Sequence, residues 1–258
     1  MSKMLRFKFE SVLSLSEPVR DHSFRLCCLP GSFPGQEIKD LRLSVSPDCS
    51  PSLQKDGFGN MVAAGYISAP HAELIYVSEG TVIVNSSLRC PEWINPVYKL
   101  QSRLTKASPE IKSLASKAKE TDREALIAEL LALANKSISY IPHITRTSTT
   151  AAEALSLGAG VCQDYAHIFI SLCREMGIPA RYCWGLVPGE GESHAWAEAE
   201  VNGAWTGFDP TRGTACDDSY IRIGAGRDFS DCPVEIGLFS GRAIQECSAS
   251  AIVTELKY

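Results

Sequence analysis

Leu5, Phe7 and Phe9 alternate with polar residues near the amino terminus, and Leu41, Leu43 and Val45 repeat the alternation further on. A period of two puts such side chains on one face of a strand, so the chain up to about residue 90 reads as strands separated by turns. Turn signals at Pro30-Gly31, Pro34-Gly35 and Lys55-Asp56-Gly57 divide this stretch. From Ala72 to Asn85, two runs rich in β-branched residues, LIYV and TVIV, flank Ser78, Glu79 and Gly80, which read as a hairpin turn. The expected architecture of this half is a small sandwich or a strongly twisted sheet.

The pattern changes after Cys90-Pro91 and Asn95-Pro96: residues 109–136 are rich in Ala, Leu, Lys and Glu, and Ser108 before Pro109 is a helix-start signal. Beyond it, a helix after Val161 is followed by strands around Arg181 to Val187, His194 to Val201 and Ala204 to Asp209. The class is therefore α+β. The expected division is an amino-terminal β domain over residues 1–100 and a second domain over 101–258.

Composition narrows the function. A formal net charge of -5 without a Lys/Arg cluster argues against a nucleic-acid partner, which needs concentrated positive charge. No segment approaches the ~20 apolar residues of a membrane span. The first residues mix Lys3, Arg6, Lys8 and Glu10 into their apolar positions, unlike an export signal, and a cytoplasmic location is expected. Ten cysteines are scattered with no C-x-x-C pair, so neither structural zinc nor a redox dithiol is expected, and most read as small buried hydrophobes. No cofactor is implied, and the oligomeric state is left open.

One cysteine stands apart. Gly158 and Gly160 form a turn before Cys162, and helical spacing at Ala166, Ile170 and Cys173 runs on until Gly177 and Pro179 stop it. Cys162 thus sits at a helix amino terminus, where free N–H groups and the helix dipole favour a thiolate and could serve an oxyanion. His167, five positions later, points elsewhere around the helix and reads as structural, while Asp164 suits the first-turn dipole.

Downstream, Asn202-Gly203 between alternating strands is a strong hairpin signal. Taking these as the loop pairs Val201 with Ala204 and Glu200 with Trp205, and counting outward sets Trp196 against Asp209 and His194 against Thr211. His194, Trp196, Glu198 and Glu200 then share a face with Trp205, Gly207, Asp209 and Thr211. His194 and Asp209 become diagonal neighbours within hydrogen-bond reach. Ala195, Ala197, Ala199 and Val201 line the opposite face and suit packing on a helix. Cys162 as nucleophile, His194 as base and Asp209 orienting the base make a catalytic set for acyl transfer. Trp184, Trp196 and Trp205 receive no role, since strand aromatics usually fill cores.

The motifs GVCQDYAH, GIPARY, HAWAE and GFDPT, in that order, resemble the core of the transglutaminase-like superfamily, in particular its bacterial cysteine protease type. DDSYIRIGAGRDFSD resembles the segment after that core's aspartate, and DGFGN and PHAEL resemble its amino-terminal β domain. The resemblance spans nearly the whole chain. It implies a papain-like core of helices on an antiparallel sheet, the same roles for Cys162, His194 and Asp209, and a peptide or protein amide as substrate. The sequence departs from the family at Gln163, where Arg is common, and at Arg212, where Asn is common. A thioester acyl-enzyme resolved by water, as a peptidase or amidase, is favoured over cross-linking because water is always available, whereas transamidation needs a second site for an amine. A noncatalytic peptide-binding or assembly protein on the same fold is the alternative.

Overall fold

The computed structural model describes residues 2–88, 91 and 93–257. One long strand organises the first half. β1 (Lys3–Leu29) buries Leu5, Phe7, Phe9 and Leu13, the period-two set anticipated for a half-buried strand. Its first part lies between β5 (His71–Val84) and β15 (Gln245–Leu256). The ladder then shifts near Asp21, whose φ is +51°, and residues from His22 onward pair with β4 (Met61–Ile67), with β14 (Glu235–Ser240) on the other side. Outside these, β2 (Gln36–Ser46) pairs with β5, β3 (Ser52–Lys55) with β4, and β9 (Gly189–Gly191) with β15. The result is an eight-stranded, strongly bent sheet among the described residues.

Two expectations change here. Ser78, Glu79 and Gly80 do not form a turn; they lie inside the continuous strand β5. Ser78 is buried and donates to the carbonyl of Cys28 at 2.7 Å. A Cβ on Gly80 would stand 2.3 Å from the carbonyl oxygen of Asp40, where β2 bulges, so the glycine marks a close approach between strands. The boundary near residue 100 also fails to contain the sheet, because residues 235–256, expected in the second domain, return to the first. An uncovered β1 would expose unpaired N–H and C=O groups on one side, and β14 and β15 satisfy them.

The second half carries α1 (Pro109–Ala115), α2 (Arg123–Ser137), α3 (Ala151–Leu157) and α4 (Cys162–Glu175), with a short parallel pair, β6 (Ser139–Tyr140) and β7 (Ala159–Gly160). Ser108, Asp122 and Thr150 each accept a backbone N–H at a helix start, so the stretch 109–136 divides into two capped helices. A five-stranded antiparallel sheet follows, in the order β12 (Thr214–Ala215), β11 (Ala204–Asp209), β10 (His194–Val201), β8 (Ala180–Leu186), β13 (Ile221–Gly226). Helix α4 contacts the other three helices on one side and β8 and β10 on the other, and residues 163–174 are all buried. The small side chains of Ala195, Ala197 and Ala199 let it sit close to the sheet.

The hairpin register agrees with expectation from Val201 opposite Ala204 to Ala197 opposite Phe208. Asn202 and Gly203 both have positive φ, +52° and +81°, as a two-residue type I′ turn needs. The ladder ends before Thr211, and His194 finds its strand partner in Gly185 of β8.

Two carboxamides join the sheets. Strand β13 is an edge of the five-stranded sheet, and Gln36 accepts from the N–H of Arg222 and donates to its carbonyl, at 2.8 and 2.9 Å. Asn60 repeats this at Ala225, both bonds at 2.8 Å. Asp56 in turn accepts from the N–H and side-chain amide of Asn60, which explains why aspartate and asparagine bracket DGFGN. Each amide imitates a neighbouring strand's donor and acceptor and covers an edge that is otherwise unpaired.

Candidate active site

Cys162 is the first residue of α4 and remains partly accessible while its helix is buried. Val161 precedes it in extended conformation, and Asp164 Oδ2 accepts the Val161 N–H at 2.8 Å and the Thr145 hydroxyl at 2.6 Å. A Cβ on Gly160 would come within 2.7 Å of that carboxylate, so glycine is what lets Asp164 fold back over the turn. Burial raises the Asp164 pKa, and the bonds from Thr145 and Val161 only partly offset it. Asp164 therefore shapes the turn that presents Cys162.

His194 opens β10 and Asp209 closes β11, so the hairpin holds them on one face. His194 Nε2 and Asp209 Oδ2 are 2.7 Å apart, with the His194 side chain 15% exposed and Asp209 fully buried. Burial opposes a charge on His194. Its hydrogen bonds to Asp209 and Cys162, together with their charges, override that and raise the imidazole from its ordinary 6.5 to about 9. Burial likewise opposes ionisation of Asp209, but its bonds to His194 and Tyr220 and from the Arg212 N–H hold the carboxyl below its usual range. Nε2 is thus committed to Asp209, and Cys162 is the second group acting on the ring. Of the three residues expected to act together, His194 and Asp209 are joined by this 2.7 Å contact, and Cys162 acts on the same imidazole.

Two further residues complete the cluster. Tyr220 donates its hydroxyl to Asp209 Oδ2 at 2.8 Å and itself accepts from Arg212 Nη1 at 3.1 Å, while Asp209 Oδ1 accepts the N–H groups of Thr211 and Arg212 at 3.0 and 3.2 Å. Trp196 stacks on His194 with ring centroids 6.5 Å apart and meets Tyr220 edge-on at 5.3 Å. Trp196 carried a signal, since a residue two beyond His194 shares its strand face. Tyr220 carried none beyond lying within DDSYIRIGAGRDFSD, because no local spacing points from it to Asp209. Arg212, at the position where the sequence departs from the family, backs Tyr220.

A cleft of about 600 Å³ opens over Cys162. One wall is the 140–147 segment, including Tyr140, His143 and Arg146; the other is Glu192 and Ser193. Gln163 donates to the Thr147 carbonyl at 3.1 Å and, with Thr145, ties the first wall to α4. Strand β9 pins the chain just before the second wall onto β15, so the bent sheet helps place His194. His167 lies away from the cleft, fully buried, with Nε2 accepting the Phe229 N–H, and burial lowers its pKa to about 4. Trp184 packs on Phe9 of the bent sheet, and Trp205 lies under Arg181.

Among the described residues no group of three or more His, Cys, Asp or Glu is placed to hold a metal, and nine cysteines are free thiols; Cys90 lies outside the described residues. No helix of the described residues is long and apolar enough to cross a membrane.

Residues 112–210 match the transglutaminase-like superfamily, and residues 5–83 match the bacterial transglutaminase-like N-terminal region. An uncharacterized protein of Mycobacterium leprae is 30% identical over 252 residues, covering 88% of this chain and 90% of its own length. One from Mycobacterium tuberculosis is 28% identical over 230 residues, covering 74% and 73%. The crystal structure of a protein described as a "putative cysteine protease" from Cytophaga hutchinsonii superposes with a TM-score of 0.83 at 21% identity, covering all of this chain and 92% of that one.

Proposed function

The chain belongs to the transglutaminase-like superfamily, and we propose that it is a cysteine-dependent acyl-transfer enzyme that hydrolyses amide bonds in a peptide or protein through a thioester on Cys162. One observation carries the reading: His194 is bonded to buried Asp209 at 2.7 Å and held protonated up to about 9 with Cys162 as its other partner. An imidazolium beside a thiol at a helix start is the arrangement that makes sulfur a nucleophile near neutral pH.

In the first step the sulfur bonds to the substrate carbonyl carbon, and the oxygen that gains charge is met by the Cys162 N–H and by the phenol of Tyr140 on the cleft wall. The C–N bond then breaks as His194 gives its proton to the departing amine. A water enters, loses a proton to His194 and attacks the thioester carbonyl; the C–S bond breaks, the acid leaves and the cysteine–histidine pair is restored. Asp209 holds the ring's tautomer throughout. A partly open cleft admits water to the thioester, which favours hydrolysis over transfer to an amine.

The test incubates the protein with a peptide library, with and without a primary amine, and reads products by mass spectrometry. Shortened or deamidated peptides that vanish with Cys162→Ala are expected. Products that survive this substitution would refute the reading, and products formed only as amine conjugates would replace hydrolysis with transamidation.

A further inference from the structure

A second cleft, sharing no lining residue with the one over Cys162, lies between turns of the bent sheet and the face of β8, β10 and β11 that carries Glu198. Its floor is an ion cluster. Arg222 Nη1 donates to both oxygens of Glu198, at 2.9 and 2.8 Å, and Arg181 Nε and Nη2 reach Oε2 at 2.7 and 2.6 Å. The three side chains are only 11–14% exposed. Burial works against the charge on Glu198, but the two guanidinium groups bring its carboxyl down to about 2. One carboxylate therefore faces two buried cations, and Lys55 adds a third at the rim. Among the described residues the other acid lining this space is Asp217, at the far arm.

The walls are aromatic. The Arg222 guanidinium lies 3.4 Å from the Phe33 ring centroid, and that of Arg181 lies 4.2 Å from that of Trp205. The rings cover the flat faces of the guanidinium groups, and the N–H groups on their edges exceed what Glu198 uses. Edge donors in a fixed fork suit a carboxylate, and a surplus buried cation is unfavourable until an anion meets it. The space is about 280 Å³ and continues past Phe33 and Trp205 into another of about 180 Å³ that reaches Tyr220. A single amino-acid-sized body fits the first.

We propose that this cleft binds a carboxylate borne on an aromatic body, whether a chain-terminal residue or an acidic side chain beside an aromatic one. Binding here needs neither Cys162 nor turnover.

Calorimetric titration of the full chain with three probes tests this: N-acetyl-phenylalanine, its amide, and N-acetyl-aspartyl-phenylalanine amide. At least one carboxylate probe should bind about tenfold or more tightly than the neutral amide, as expected for a charge-assisted hydrogen bond, and which one identifies the source. Arg222→Gln leaves Arg181 and Glu198 as a balanced pair and should abolish that preference. Lys55→Gln, at an exposed position, should weaken the same probe about threefold at low salt and keeps the test readable if Arg222→Gln does not fold. Equal affinity for acid and amide, no heat from any probe up to about 10 mM, or an unchanged preference in both variants would overturn the proposal.

Discussion

Tyr220→Phe removes one hydroxyl and leaves the ring that meets Trp196 and His194. That hydroxyl donates to buried Asp209 at 2.8 Å, one of four hydrogen bonds on the carboxylate, the others coming from His194 and the Thr211 and Arg212 N–H groups. A hydrogen bond to a charged, buried partner contributes about 1.5–3 kcal/mol, so the variant should be less stable by roughly that amount at pH 7. The sign with pH follows from Asp209. Its folded-state pKa is depressed, so its contribution is present above the unfolded value and fades as pH falls through the folded one. The deficit of the variant should shrink in acid for the same reason. At the pH where His194 titrates the carboxylate stays ionised, and with one donor fewer on Oδ2 it turns more of its charge to the imidazolium, so the imidazole should titrate above about 9 by something on the order of half a unit. Urea denaturation across pH and an NMR titration of His194, assigned with His194→Gln among the five histidines, read the two effects. A pH-independent deficit together with an unmoved His194 titration would show that Tyr220 only fills space.

Other consequences are equally direct. Gln36→Ala and Asn60→Ala each leave an N–H and C=O of β13 without a partner, part-buried at Arg222 and buried at Ala225, and should cost about 1 kcal/mol and about 1–3 kcal/mol respectively in denaturation midpoint analysis; Asn60→Asp, which keeps an acceptor but loses the donor and sets a second carboxylate beside Asp56, should be no milder than Asn60→Ala. The raised His194 pKa contributes stability that is fully present below about 6.5 and lost as pH rises to about 9, at most about 3 kcal/mol, and His194→Ala should flatten that part of the stability profile.

The site was legible wherever its signals were local. A cysteine after a glycine turn, and a hairpin whose two loop residues fix a register, are short-range features, and the hairpin register alone suffices to pair His194 with Asp209. What escaped is nonlocal. Tyr220 reaches Asp209 from beyond the short strand β12 and the turns that flank it, and Gln36 meets Arg222 across 186 positions, so no periodicity could join them. The misread turn at Ser78 to Gly80 has the same origin: a glycine needed for close approach to Asp40 has the same sequence signature as one needed to reverse the chain. The return of residues 235–256 to the first sheet likewise follows from the unsatisfied side of β1, a demand that only the assembled sheet makes.

The proposed hydrolysis requires an acyl group on Cys162, and acid-quenched intact mass spectrometry during turnover of a good peptide substrate tests for it. One acyl adduct should appear, map to Cys162, be released by hydroxylamine as a thioester is, and be absent from Cys162→Ala and strongly reduced in His194→Ala. Turnover retained by Cys162→Ala, or an adduct mapping to another cysteine, would contradict the mechanism even with the fold intact.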